Sequence, residues 1–470
     1  MVLWLEWWRM VAQLRPACAR YRTFLWLVVC LAGITLRGDL SGVTSIVRSL
    51  GLRGALYDRL LDFFHGTGLD LAKLTALWQA FLLRCATPLV RVNGRILLVG
   101  DSLKVPKEGR KMPAVKLLRQ ESTSNTKPEY IFGHHCQAIA LLAGSLCGSI
   151  FALPIVSRIH EGVVFSNRDS RTLLDKMLAV LTTLCIAEPF YFIADAYYAG
   201  KTVIRGVLRL GNHLVTRVRS NAVAYRPAAP RSDTPRKKRG RPATYGRKLR
   251  LKEVFADTAA MQSIPSPLSG EHATTIRFTT ADLFWRPVGV LVRFVFVIHP
   301  TRGAIILLST DTSLPAQDII RIYGFRFKIE VSFKQALRVL GAYAYHFWMK
   351  TAKTLRKQSG NQYLHRASDD FRNAVRRKLA AYHAHIQIGL IAQGLLQCLS
   401  LAFPKLVWAS YGSWLRTQRP DLCPSELVTA IALKNSFPHF LADSLGAQIF
   451  KKFLTTRIDF DRIEGARMVT

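Results

Sequence analysis

Two apolar runs that each end in an aspartate constrain the fold of this chain more than any other feature. The run "RILLVGDS" (95–102) leads into Asp101, and "PFYFIADAYYAG" (189–200) leads into Asp195. Short apolar runs of this kind are typical of buried strands, and α/β sheets present functional groups at their strand ends. Either aspartate alone is as well explained by a turn-forming role. Because the two occur in the same setting, we expect them to share one edge of a sheet.

The segments around these runs predict a mixed α/β sheet that is covered by helices. A hairpin follows Asp101, with its two strands at 136–144 and 149–157. A helix is predicted over 166–184, with Ser166 or Asn167 as its N-cap. The second aspartate run, a further helix and a strand at 213–222 follow. This order of strand, hairpin, helix, strand, helix and strand is typical of an α/β domain.

The charge balance of the chain predicts a polyanionic partner. Its 66 Lys and Arg residues stand against 30 Asp and Glu residues, giving a formal net charge of +36. Nucleic acid is the partner that this excess favours most, and an anionic membrane surface is the alternative. The apolar run at 24–36 is short for a membrane span, and glutamine and glycine interrupt the one at 386–403. We therefore expect no membrane association.

The cysteines agree with a reducing compartment. The chain has 8 of them, scattered and without a Cys-x2-Cys pair. That distribution predicts neither a zinc ribbon nor a disulfide framework. We therefore expect a reducing cytoplasm, with most cysteines as small buried hydrophobic residues.

A third acid lies in the stretch "IYGFRFKIEVSFKQAL" (322–337), which has helical periodicity. Tyr323, Arg326 and Glu330 are three and then four residues apart, so a helix would place them on one face. Arg326 and Glu330 alone read as an ordinary i,i+4 ion pair. With two aspartates at a sheet edge, however, Glu330 completes a set of three carboxylates. Such a set suits two Mg²⁺ ions, which prefer oxygen ligands and promote phosphoryl transfer.

In these motifs the chain resembles the DDE transposases of bacterial insertion sequences, over about residues 91–350. The match consists of "VGDS" around Asp101, "IADAYYAG" around Asp195, and the Tyr-x2-Arg-x3-Glu pattern in "YGFRFKIE". The long interval before Glu330 is similar to the subgroup with a β-rich insertion. The resemblance implies an RNase-H-like mixed sheet as the catalytic core, interrupted by that insertion and flanked by helical N- and C-terminal regions.

The resemblance also implies an activity and a set of site residues. Asp101, Asp195 and Glu330 would bind two Mg²⁺ ions, for which Mn²⁺ would substitute, and would cut DNA at the element ends before strand transfer into target DNA. Tyr323 and Arg326 would contact DNA. The partners would be the terminal repeats, the target DNA, and further copies of the chain in a homodimer or larger synaptic complex.

One position departs from the family pattern. A lysine commonly follows seven residues after the glutamate, and Leu337 stands there in this chain. On a helix, Lys334 and Arg338 are about 40° and 80° from Glu330. Either side chain could reach a phosphate, and Lys334 is nearer in angle. Both are candidate DNA-binding residues, and the residues alone leave open which of them takes the place of the lysine.

A strongly basic segment at 226–252 is expected to form a loop or an extended arm. It contains eleven Lys and Arg residues, four prolines and one Asp, a composition that forms no packed core. Within it, Arg239, Gly240 and Arg241 form the core of an AT-hook, in which glycine lets the backbone approach a narrow minor groove. The alternative is a linker that contacts phosphates without sequence preference.

Further DNA contacts are expected near the two aspartate motifs. Arg217 and Arg219 alternate on the strand after Asp195, and would line a DNA channel or form a solvated face. Trp285 in the β-rich insertion is a candidate for stacking on an unpaired base. A core position is the alternative for this tryptophan.

The N-terminal helices around 39–66 read either as a helix-turn-helix that docks on DNA or as a plain αα-hairpin. Two activities other than transposition stay open from the residues alone. One is a transposase-derived DNA-binding protein that does not cut, and the other is a different RNase-H-like nuclease. The expected domains are a helical DNA-binding region at 1–90, the catalytic core at 91–222 and 301–355, the basic arm and β-rich insertion at 223–300, and a helical C-terminal region at 356–470.

Overall fold

The computed structural model describes residues 2–85, 88–120, 128–144, 148–228, 243–268, 270–271 and 273–461. Most of the basic arm therefore lies outside the described residues. This includes Arg239, Gly240 and Arg241, so the AT-hook stays a prediction.

Thirteen α-helices occur in the described residues. In chain order they are α1 (Val2–Ala12), α2 (Tyr21–Leu36), α3 (Val43–Ser49), α4 (Leu56–His65), α5 (Leu71–Arg84), α6 (Leu173–Thr183), α7 (Lys201–Arg209), α8 (Ala316–Gly324), α9 (Phe327–Arg338), α10 (Asp369–Ala402), α11 (Pro404–Tyr411), α12 (Glu426–Ala442) and α13 (Gln448–Thr455).

The strands of the described chain are likewise numbered in order. They are β1 (Arg91–Val92), β2 (Arg95–Pro106), β3 (Lys116–Arg119), β4 (Tyr130–Gly144), β5 (Ile150–Ile159), β6 (Val163–Val164), β7 (Phe190–Ala194), β8 (His213–Val218), β9 (Val223–Pro227), β10 (Tyr245–Arg250), β11 (Gln262–Pro265), β12 (Thr275–Trp285), β13 (Val290–His299), β14 (Gly303–Ser309) and β15 (Gln362–Tyr363).

The chain divides into two compact units, and it passes between them four times. The first unit comprises residues 1–89, 102–170 and 329–470, and the second comprises 90–101 and 171–328. Each unit is therefore assembled from separated parts of the sequence. The functional division into domains stays a prediction.

The second unit is built on a mixed sheet. Strand β7 pairs in parallel with the first half of β2 on one side and with β8 on the other. Helix α7 connects β7 to β8, which is the usual way for a chain to join parallel neighbours, and α6 precedes β7 in the chain. Strand β8 then pairs antiparallel with β14, and the sheet continues through β13, β12, β9 and β10. The α/β class with a mixed sheet and a β-rich insertion is thus confirmed.

The start of α6 differs from the sequence prediction. The helix begins at Leu173, and its N-cap is Thr172 rather than Ser166 or Asn167. Thr172 and Asp175 form a capping box, in which each side chain accepts a hydrogen bond from the other residue's backbone N–H. That reciprocal bonding stabilises a helix start better than a single hydroxyl cap, so the earlier residues remain in the preceding loop.

The first unit is mainly helical and packs around α10. Every residue of α2 from Phe24 to Leu36 is buried, and α10 contacts α2, α4, α5, α12 and β5. Trp78 on α5 donates a hydrogen bond from Nε1 to the backbone oxygen of Pro154 on β5, at 2.9 Å. This bond satisfies a buried indole N–H, and it ties α5 to β5 within the first unit.

Helix α10 is the one helix of the described residues that is long and apolar enough to span a membrane. Of its most apolar window, 94% is buried inside the structure. Its apolar side chains are therefore used for packing, in agreement with the interpretation of 386–403 as a buried helix.

Helices α3 and α4 are the pair for which a helix-turn-helix was one prediction. The inner face of α4 buries Leu60, Phe63 and Phe64. The Phe64 ring lies 5.5 Å from that of Phe347, measured between centroids. This face belongs to the core of the first unit, and DNA contact through the outer faces stays a prediction.

Candidate active site

The two aspartates lie at corresponding positions of two adjacent parallel strands. In the pairing of β2 with β7, Gly100 lies opposite Ala194, and the next residues are Asp101 and Asp195. Neighbouring strands are about 4.8 Å apart, so the two backbones present their acids side by side. Strand β7 ends directly before Asp195, but β2 continues through Asp101 to Pro106, which corrects the prediction that both acids lie at strand ends. Both residues are partly buried. Their common position is the strongest feature of the site.

The strands beneath the aspartates are closely packed. Ile96 to Val99 on β2 and Phe190 to Ala194 on β7 are buried. A Cβ atom added to Gly100 would lie 2.3 Å from Cζ of Phe192. A glycine is therefore required before Asp101, because the Phe192 ring occupies the space of a larger side chain.

Local hydrogen bonds fix the turn at Asp195. Its Oδ1 accepts a hydrogen bond from the backbone N–H of Tyr197, at 3.0 Å. Its backbone oxygen accepts one from Oγ1 of Thr216 on β8, at 2.8 Å. The turn-forming role considered for this residue is therefore real, and it orients the carboxylate at the strand end.

Asp101 forms an ion pair with Arg326. Nη1 of Arg326 lies 3.0 Å from Oδ2 of Asp101, and the two side chains are 21% and 14% exposed. A charge-assisted hydrogen bond in so sheltered a place is stronger than a surface ion pair. Two residues that were selected from separate motifs, 225 positions apart, are thus in direct contact.

Tyr323 lies within the electrostatic field of the same group. Burial raises the pKa of Tyr323, the charges of Arg326 and Arg217 lower it, and the charge of Asp195 raises it. These effects require the charged groups to lie near the phenol. The second unit therefore brings five of the predicted site residues together, namely Asp101, Asp195, Arg217, Tyr323 and Arg326.

The helix that was predicted to carry all three motif residues is interrupted, which corrects the sequence prediction. Helix α8 ends at Gly324 and α9 begins at Phe327. The backbone N–H of Arg326 bonds to the oxygen of Tyr323, three residues earlier, at 3.1 Å. Gly324 is required here because a Cβ would lie 2.3 Å from Cδ2 of Leu268. Glycine also disfavours a continuous helix, so Tyr323 and Arg326 precede the helix of Glu330.

A cavity of about 620 Å³ adjoins Tyr323 and Arg326 within the second unit. Its polar lining is mostly cationic, and aliphatic side chains of β13 and β14 form much of the rest. The cations are Arg217, Arg302, Arg326 and Lys328. Such a lining suits an anionic group that carries an apolar body.

Three residues of this cavity were missed by the sequence reasoning. Nδ1 of His299 accepts the backbone N–H groups of Thr301 and Arg302 at 3.2 Å and 3.3 Å, so the proton must be on Nε2. That Nε2–H donates to Oε2 of Glu271 at 3.0 Å, and Arg302 pairs with the other oxygen. No local motif marks this network, because Glu271 is 28 residues from His299 and 31 residues from Arg302.

Glu330 belongs to the other unit, as do Lys334 and Arg338. All three residues lie on α9, where Glu330 is partly buried and the two cations are exposed. Glu330 lies in the first turn of the helix, which favours a negative charge. Its approach to Asp101 and Asp195 stays a prediction.

The donor set at the sheet edge suits a hard divalent cation. Asp101 and Asp195 offer carboxylate oxygens, which Mg²⁺ prefers, and their partial exposure leaves room for water and phosphate. Among the described residues, no group of three or more His, Cys, Asp or Glu residues is assembled as a metal site. The structure thus places two carboxylates side by side, one of them ion-paired with Arg326, and metal binding by these aspartates stays a prediction.

The remaining residues that were predicted to contact DNA differ in their exposure to solvent. Arg217 is exposed on β8, and Arg219 is exposed just beyond its end. Trp285 is only 8% exposed, and its ring lies 5.6 Å from that of Phe294. This burial favours the core interpretation of Trp285, and stacking on a base stays a prediction.

A family model described as DDE superfamily endonuclease matches residues 13–281. The match covers 269 of the 470 residues, more than half of the chain. The chain belongs to this family. The matched region contains Asp101 and Asp195, and it ends before Glu330. The match confirms the resemblance to DDE enzymes that the sequence motifs indicated. Enzymes of this superfamily generally use divalent metal ions.

The other two comparisons add little. A search among curated proteins finds no match. Among solved structures, the chain is similar to a piggyBac transposase in a synaptic complex with hairpin DNA, with 12% sequence identity and a TM-score of 0.38. That similarity covers 97% of this chain and 82% of the other.

Proposed function

We propose that this DDE endonuclease is the transposase of a bacterial insertion sequence. It would cut DNA at the element ends and join the freed ends to target DNA. The observation that supports this most is the side-by-side position of Asp101 and Asp195 on parallel strands, with Arg326 of the Tyr-x2-Arg-x3-Glu motif in contact with Asp101.

In this proposal, Asp101, Asp195 and Glu330 hold two Mg²⁺ ions, and Mn²⁺ substitutes. When bound, these ions supply charge stabilisation to the attacking and leaving oxygens of phosphoryl transfer. In the first step water attacks the scissile phosphorus, and the bond to the 3′-oxygen breaks to give a 3′-hydroxyl. In the second step this hydroxyl attacks a phosphorus of the target DNA, and a target 3′-oxygen leaves.

The cations around the aspartates would bind and orient the scissile strand. Arg326 and Arg217 lie near Tyr323, at the edge of the 620 Å³ cavity. Their guanidinium groups match the geometry of phosphate oxygens, and they would hold the phosphodiester in line for attack. Lys334 or Arg338, on the exposed face of α9, would contact a phosphate of the DNA. Either would take over the role of the family's lysine, at whose position Leu337 stands in this chain.

The partners in this proposal are the terminal repeats, the target DNA and additional copies of the chain in a homodimer or synaptic complex. The protein would act in the cytoplasm, at the nucleoid. Its net charge of +36 supports a DNA partner.

A cleavage and joining assay tests the proposal. The protein is incubated with duplexes that carry the element's own ends and a target plasmid, in Mg²⁺, Mn²⁺ or Ca²⁺. We expect cutting at the ends and covalent joining in Mg²⁺ and Mn²⁺. Cutting without joining would favour a different RNase-H-like nuclease, and specific binding without cutting would favour a transposase-derived DNA-binding protein.

A further inference from the structure

A long connection between α9 and α10 has an unusual composition. Residues 339–368 contain one two-residue strand and no helix. They include five Lys and Arg residues and no Asp or Glu. Connections of this length are uncommon in compact units, and those that persist are usually functional. A purely solvated loop would carry charges of both signs.

The first part of this connection is extended and has an inner and an outer face. Tyr343, Tyr345, Phe347 and Met349 are buried, whereas His346, Trp348 and Lys350 are exposed. This alternation is that of a strand, in which successive side chains point in opposite directions. The buried face anchors the backbone, so the outer face holds a tryptophan between two basic residues at a fixed spacing.

Contacts with the loop after β2 hold the connection in place within the first unit. The buried Nζ of Lys107 donates to the backbone oxygens of Tyr343 and Tyr345, at 2.5 Å and 3.2 Å. Backbone bonds of 2.9 Å join Met349 to Lys111 and Leu355 to Arg110. Two separate segments therefore form one surface.

This surface is positively charged and carries an exposed indole. Trp348 is 64% exposed. Around it lie the exposed cations of both segments, namely Arg110, Lys111, Lys350, Lys353, Arg356 and Lys357. The one acid in residues 104–120 and 339–368 is Glu108, which pairs with Lys357 at 3.4 Å. We call Arg110, Lys111, Trp348, Lys350, Lys353 and Arg356 the basic strip.

We propose that the basic strip binds single-stranded DNA. Its cations would follow the phosphates, and an unpaired base would stack on Trp348. A cationic track with an exposed aromatic ring is the arrangement that binds single strands, because every base offers a face for stacking. In a duplex the bases already stack on one another, so an exposed indole contributes little to the affinity for duplex DNA.

The choice of DNA rests on the proposed function, since cutting and joining produce strand ends that are open to unpairing. The binding itself is independent of cutting. The inference can therefore fail while the proposed function holds, and the reverse is also true.

Fluorescence anisotropy with labelled oligonucleotides tests the inference on the full chain, in EDTA to prevent cutting. The probes are a 20-nucleotide oligo(dT) and a random duplex of the same length. We expect Trp348→Ala to weaken binding of the single strand at least fivefold and that of the duplex less than twofold. Trp348→Phe should keep most of the single-strand affinity. The matched control is Trp414→Ala, which removes an indole that is 81% exposed in the same unit, and it should change neither affinity.

The charges are tested by the triple variant Lys350→Gln, Lys353→Gln, Arg356→Gln. Each single-strand phosphate contact contributes about 0.7 to the slope of log K against log salt, so the slope should fall by about 2. The control triple variant is Lys405→Gln, Arg416→Gln, Arg419→Gln, which removes three exposed cations elsewhere in the unit. It should retain the wild-type slope.

Three results would overturn the inference, provided that circular dichroism shows each variant to be folded. One is a Trp348→Ala protein that binds oligo(dT) as well as the wild type does. Another is equal weakening for both probes, which would make the strip a surface for duplex phosphates. The third is an equal loss of salt dependence in both triple variants.

Discussion

The guanidinium of Arg326 and the carboxylate of Asp101 form a sheltered ion pair, with 3.0 Å between Nη1 and Oδ2. The arginine belongs to the Tyr-x2-Arg-x3-Glu motif, and the aspartate belongs to the first aspartate motif. A residue predicted to bind DNA thus contacts a residue predicted to bind metal. Arg326 and a bound metal ion are both positively charged, so we expect them to compete for the carboxylate of Asp101.

Arg326→Gln should therefore increase the affinity for Mn²⁺ in the absence of DNA. An exposed ion pair contributes up to about 1 kcal/mol, and because this pair is sheltered we expect the affinity to rise by about fivefold or more. Isothermal titration calorimetry with Mn²⁺ measures this change. The control is Arg321→Gln, which removes a cation that pairs with Asp318. Equal Mn²⁺ affinities of the wild type and Arg326→Gln would argue against competition at Asp101.

Gly100→Ala should destabilise the protein and weaken the site. The new methyl group would meet the Phe192 ring, and overpacking of this kind costs about 1–3 kcal/mol. The displaced ring lies in β7, three residues before Asp195. We expect a lower midpoint in thermal unfolding, together with reduced cutting. Gly38→Ala is the control, because no atom lies within 4 Å of its added Cβ. If Gly100→Ala melts like Gly38→Ala, the strands are less closely packed than described.

Glu161 should make stability depend on pH in acid. The hydrogen bond from His135 is the largest of the effects that lower its pKa to about 2, and the charges of His135 and Lys116 add to it. The unfolded value is about 4.5, so the carboxylate stabilises the folded state above pH 4.5. This contribution is lost as the pH falls from 4.5 towards 2. Because the side chain is 26% exposed, we discount the contribution to about 1–2 kcal/mol.

Urea unfolding of Glu161→Gln at pH 7 and at pH 3 measures this contribution. The difference in unfolding free energy between wild type and variant should be largest at pH 7 and smaller at pH 3. Glu129→Gln provides the control, because the Glu129 side chain is 60% exposed in its pair with Arg119. A wild-type minus variant difference that grows towards pH 3 would contradict the assignment.

The sequence predicted the adjacent aspartates because a buried parallel strand has a clear local signature. An apolar run and the acid that ends it are contiguous, so "LLVGD" and "YFIAD" are recognisable without knowledge of the fold. The break between α8 and α9 was not predictable in the same way. Gly324 was a local signal against a continuous helix, but the three- and four-residue spacing of Tyr323, Arg326 and Glu330 favoured a single helix.

The same reasoning explains the cavity residues that were missed. Glu271, His299 and Arg302 become a network only when β13 and its following turn meet the segment before β12. Likewise, the exposure of Trp348 could not be predicted, because Phe347, Trp348 and Met349 form a continuous apolar run in the sequence. Contacts between distant segments decide these features, and local periodicity carries no information about them.

The central claim is that Asp101, Asp195 and Glu330 act together in metal-dependent cutting of DNA. The most direct test is cleavage of end-containing duplexes by Asp101→Asn, Asp195→Asn and Glu330→Gln, with Asp421→Asn as an exposed control. Metal-based charge stabilisation amounts to several kcal/mol. Each of the three variants should therefore cut at least about a hundredfold more slowly than the wild type. All should bind the duplex like the wild type, and Asp421→Asn should cut normally. Normal cutting by any one of the three variants would contradict the assignment of that carboxylate.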